Sequence, residues 1–70
     1  MKEQLIQWMK NRTIVTVKEL AAFGNPANIL NGTITGCDDI GFVLESRYPN
    51  GMKSIFVFPY GAVTVTARAN

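Results

Sequence analysis

The spacing of apolar positions changes once along this chain, near Thr13. From Lys2 to Asn11, Leu5, Ile6, Trp8 and Met9 recur three and four residues apart. That spacing lines one side of about three helical turns and predicts a short amphipathic helix over residues 2–11. Such a helix is marginal alone, so Leu5, Trp8 and Met9 are expected to lie across an open end or face of a sheet, with Trp8 as a packing anchor. From Thr13 the period is two. Ile14, Thr16 and Lys18 alternate with Val15, Val17 and Glu19, a β-branched pattern that predicts a first strand over 13–20.

Further strands are expected over 29–37, 41–48, 52–58 and 62–67, separated by turn chemistry. Gly24, Asn25 and Pro26 form a loop cluster, and Pro26 bars that segment from a central ladder. Pro49-Asn50-Gly51 is a hairpin signal, and Pro59-Tyr60-Gly61 turns the chain again. In strand four, Ile55 and Val57 oppose Phe56 and Phe58, so both faces are apolar and the strand is either central or covered by another subunit. Val63 and Val65 are expected to point inward from strand five.

The densest information lies between Gly32 and Glu45. Ile34 alternates with Thr33 and Thr35, while Gly32 and Gly36 mark places where a strand bends or accepts a close backbone. Asp38-Asp39 supplies a turn, because an Asp carboxylate can bond backbone amides two residues on, and Phe42-Val43-Leu44 restarts an apolar strand. Together these elements predict a mainly β domain over 1–70: a helix followed by five strands in a strongly bent, partly open barrel. Strands four and five are the expected edges, and an unpaired apolar edge invites a partner. If strand four of one copy pairs with strand five of the next, the contact is head-to-tail and can close into a ring.

Composition supports self-association. A chain of 70 residues buries only roughly 60% of its unfolded surface, and its single Cys37 and lack of His leave neither a disulfide nor an ordinary zinc cluster as a staple. Hydrophobic residues at 47% against 17% charged favour burial between subunits. The apolar start is broken by Gln7, Lys10, Asn11 and Arg12, so neither an export signal nor a membrane span is expected. The lone thiol suits a reducing compartment, which makes the cytoplasm the expected location. A net charge of +2 tolerates a nucleic-acid partner without demanding one.

With helix, strands and Asp turn placed, the chain resembles the Sm-like superfamily, and in ungapped spacing it is most similar to its bacterial Hfq branch. Gly32, Ile34, Asp38, Ile40, Phe42 and Leu44 carry the first motif; Ile55, Val57, Phe58, the Pro59-Tyr60-Gly61 turn, Val63 and Val65 carry a looser second one. The resemblance implies a homo-oligomeric ring. Its inner rim, made by the turns after strands two and four, would bind single-stranded RNA. The rim positions it implies are Asp39, Ile40, Phe42, Phe58, Tyr60 and Gly61, with Asp38 forming the turn. The base-stacking position falls on Ile40, which has no π face, and the second turn lacks the family's cation. A stacking platform is worth about 1 to 3 kcal/mol per base, so Tyr60 becomes the leading substitute. Phe42 and Phe58 also suit the core, Arg47 and Lys53 suit solvated surface, and Cys37 suits a small buried hydrophobe.

Catalysis is not expected, since the carboxylates beyond Asp38 and Asp39 are only Glu3, Glu19 and Glu45, and no cofactor or metal is implied. The leading function is an RNA-binding ring. The alternative is a structural or protein-interaction ring of the same fold with little RNA affinity, and a third reading is a monomeric barrel that binds peptides by strand addition.

Overall fold

Helix and strand meet at a defined cap. In the computed structural model, which describes residues 2–20 and 28–68, α1 spans Lys2–Lys10. It ends because Arg12 adopts a left-handed conformation (φ 53°). The Arg12 amide then donates to the Met9 carbonyl (3.2 Å) and the Thr13 amide to the Trp8 carbonyl (2.9 Å), the paired reach-back of a Schellman motif. That reversal uses Arg12 and Thr13, and the first strand, β1, begins later than its β-branched run suggests, at Val15, and ends at Glu19. The Gly24–Pro26 loop expected from sequence lies outside the described residues.

The remaining strands are β2 (Ile29–Cys37), β3 (Gly41–Arg47), β4 (Lys53–Pro59) and β5 (Val63–Ala67), with a 3-10 turn at Tyr60–Ala62 between the last two. Every pairing is antiparallel, in the order β4-β3-β2-β1-β5. The strand β2 serves both halves. Up to Gly32 it pairs with β1, and from Thr33 with β3, with a register irregularity between Ile34 and Gly36. Gly32 is required at that crossing: a Cβ there would sit 2.2 Å from the Glu45 carbonyl oxygen. Beside it the Ser46 hydroxyl donates to the Asn31 carbonyl (2.7 Å), which satisfies the buried hydroxyl.

The core follows the predicted alternation. Leu5, Val15, Val17, Ile34, Phe42, Leu44, Phe58 and Val63 are buried, and Trp8, Met9, Cys37 and Val65 pack against them half-buried. The helix lies on β2, its buried Leu5 entering the core. This is one helix and a five-stranded antiparallel sheet that does not close into a barrel, an arrangement compatible with an Sm-like fold.

The margins of that sheet are β4 and β5, as their turn spacing and edge character suggested. Among the described residues β4 pairs only with β3, and β5 only with β1. The two readings left open for β4 are thereby narrowed, because a central position is ruled out: Ile55 is 55% and Val57 74% exposed. Between the margins runs a groove floored by Leu20, Phe56, Phe58 and Val63. Among the described residues no helix is long and apolar enough to cross a membrane.

Candidate binding rim

Two turns distant in sequence meet at one end of the sheet. The first, between β2 and β3, is built by Asp38, whose carboxylate accepts from the amides of Ile40 (2.8 Å) and Gly41 (2.9 Å) while its own amide donates to the Gly41 carbonyl (2.9 Å). Those two amides, Gly41 first and Ile40 second, hold the Asp38 carboxyl below the usual carboxylate range. With its side chain committed to the loop, Asp38 is a turn former, as expected.

The second turn is the 3-10 segment after β4, and Tyr60 joins it to the first. Its amide donates to the Ile40 carbonyl (3.1 Å), and its hydroxyl donates to the Asp38 carbonyl. Its ring stacks on Phe42, centroids 6.1 Å apart and planes 21° from parallel. Partial desolvation raises the Tyr60 phenol above its ordinary value. Gly41 permits the close approach of the strands behind this junction, since a Cβ there would lie 2.1 Å from the Phe58 carbonyl oxygen.

The six rim positions implied by sequence therefore separate into two layers. Asp39, Ile40 and Gly61 are exposed, Ile40 at 77%, and Tyr60 is half-buried beside them. Phe42 and Phe58 do not reach the rim surface. They are 1% and 6% exposed and pack on each other with centroids 5.6 Å apart, so they support Tyr60 from the core and offer no free ring face. The physical reason is strand parity: Phe42 and Phe58 are directly paired across β3 and β4, on the face that carries Leu44 and Phe56 inward.

Sequence reasoning missed one rim residue. The Lys2 ammonium, at the start of α1, pairs with the Asp39 carboxylate, and this hydrogen bond and charge raise the Lys2 ammonium above its ordinary value. The second turn carries no cation, yet docking of α1 on β2 brings one to the same rim from 37 residues away. No local signal could have found it, because its placement depends on how the helix crosses the sheet. Chemically, the assembled rim offers an exposed aliphatic face at Ile40, a partly covered aromatic ring, and an ammonium neutralised by a neighbouring carboxylate. No family model, curated protein or solved structure matches this chain.

Proposed function

We propose that this chain is the subunit of an Sm-like homo-oligomeric ring that binds short single-stranded RNA at the rim formed by Asp39, Ile40, Tyr60 and Gly61 together with Lys2. The observation that carries the assembly is the pair of sheet margins, each with one partner strand among the described residues. An edge strand with exposed Ile55 and Val57 is a template for another strand, and β5 of a second copy is the complementary edge. Because β4 meets β5 rather than itself, the contact repeats head-to-tail and closes if the rotation permits.

For RNA, Lys2 supplies a phosphate-directed charge and Tyr60 with Ile40 a surface for bases. Asp39 opposes it, so affinity is expected to be modest and salt-dependent. A cytoplasmic location belongs to the same proposal and rests on the lone thiol of Cys37.

Light scattering of the purified chain, followed by fluorescence titration with uridine-rich and adenine-rich oligomers, tests both halves. A mass of several chains is expected, reduced to one by Val57→Lys on the β4 margin. Micromolar oligomer binding weakened by Tyr60→Ala, and a shallower salt dependence for Lys2→Gln, are expected from the rim. A single-chain mass for the native protein overturns the ring. A ring with affinity no better than millimolar selects the protein-interaction reading, which the burial of Phe42 and Phe58 favours.

A further inference from the structure

The chain's positive charge is concentrated away from the rim. Arg12, Arg47 and Arg68, from three separate segments, line one open cleft of about 730 Å³. That volume falls within the range of small-ligand sites, roughly 300 to 1,000 Å³. Against these three guanidiniums the cleft carries one carboxylate, Glu45. Glu45 is already engaged, with Arg47 at 3.7 Å and Lys53 at 3.3 Å. Among the described residues Arg12 and Arg68 pair with no carboxylate.

Their backbones are held. Arg12 is fixed by the helix cap, and the Arg68 amide donates to the Ile14 carbonyl (2.9 Å), which fastens residue 68 two positions from Arg12 on the neighbouring segment. The remaining lining is mixed. Met9 and Ile14 give apolar surface, while Asn31, Thr33 and Thr35 give hydrogen-bonding groups.

We propose that this cleft binds a phosphate-bearing ligand of nucleotide size, with the Arg12 and Arg68 guanidiniums on the phosphate and the Met9 and Ile14 surface under its apolar ring. A guanidinium presents a planar fork that matches phosphate oxygens, and two forks without an internal carboxylate are available to an external anion. The amides and hydroxyls of Asn31, Thr33 and Thr35 suit the polar edge of a base or sugar. None of the rim residues lines this cleft, so the inference stands apart from the RNA-rim proposal.

Calorimetric titration of the full chain with adenosine monophosphate, inorganic phosphate, adenosine and a uridine hexamer tests it. Adenosine monophosphate is expected to bind more tightly than about 1 mM, and phosphate or adenosine alone at least about tenfold more weakly. Arg12→Asn, a residue that tolerates the left-handed cap, and Arg68→Gln are each expected to weaken the nucleotide about tenfold. Lys18→Gln, an exposed cation outside the cleft, is expected to leave it unchanged. Circular dichroism confirms that each variant is folded. The proposal is overturned if inorganic phosphate binds as tightly as the nucleotide, or if both arginine variants behave as the native chain. It is equally overturned if only the hexamer shows binding that depends on Arg12 and Arg68, since the ligand is then a polymer backbone.

Discussion

Gly32 and Gly36 have the same residue type, sit in the same strand and differ by four positions, yet replacing each with alanine is expected to have opposite consequences. At Gly32 the added Cβ meets the Glu45 carbonyl oxygen at 2.2 Å, the Glu45 carbonyl carbon at 2.9 Å and the Ser46 Cα at 3.2 Å. The first of these is about 1 Å inside ordinary van der Waals contact. All three atoms are backbone, so no rotamer change relieves the clash. Relief requires β2 and β3 to separate beside the Thr33–Glu45 pair and the Ser46–Asn31 hydrogen bond. Overpacking typically costs about 1 to 3 kcal/mol, and a clash with rigid backbone belongs at the upper end, about 3 kcal/mol. For a domain of this size that lowers Tm by roughly 12 to 24 °C.

At Gly36 the nearest atom to the added Cβ is the Val43 Cγ2 at 3.8 Å, an ordinary contact. Gly36→Ala is therefore expected to be neutral or to stabilise by up to about 1 kcal/mol, through the smaller entropy of its unfolded chain. Thermal and urea unfolding followed by circular dichroism, at one fixed protomer concentration so that any assembly contributes equally, measures both. Equal losses for the two variants, or a Gly32→Ala cost below about 1 kcal/mol, would refute the close-approach explanation of Gly32.

Three further outcomes follow from the same geometry. Leu5→Ala removes the fully buried anchor of a nine-residue helix and is expected to cost about 2 to 5 kcal/mol, with faster amide exchange throughout α1 measured by NMR. Arg12→Gly relieves a left-handed side-chain-bearing residue at the helix cap and is expected to raise stability by about 1 kcal/mol in urea unfolding. Because the folded-state carboxyl of Asp38 lies below its ordinary value of 3.8, it contributes stability above that pH, lost as pH falls through the folded value. Asp38→Asn should then flatten the acid limb of the stability profile below about pH 4, and an unchanged limb would show that the carboxylate charge does not hold the turn.

Local patterns in the sequence were sufficient for the element plan. The three-four spacing of Leu5, Trp8 and Met9, and the alternation through Val15, Val17, Ile34, Phe42 and Leu44, grouped on shared faces the residues that became core, because period and face are linked within a single element. The Asp38 turn was equally legible, since its carboxylate bonds amides two and three residues away. Boundaries were less so: β1 starts at Val15, after the Arg12 cap has taken Thr13, and an Arg in a left-handed cap has no compositional signal.

What only the tertiary structure decided is which distant groups share a surface. The sequence by itself determined a helix, five strands, their alternation and two candidate edges. It did not determine that Phe42 and Phe58 stand behind the rim, that Lys2 arrives beside Asp39, or that Arg12, Arg47 and Arg68 converge on one cleft. Nor could it separate a Gly32 that bears a crossing strand from a Gly36 that does not. Local hydrogen bonding and hydrophobic period act over a few residues and leave their mark on composition. The meeting of remote side chains depends on sheet curvature and helix docking, which are properties of the whole packed chain.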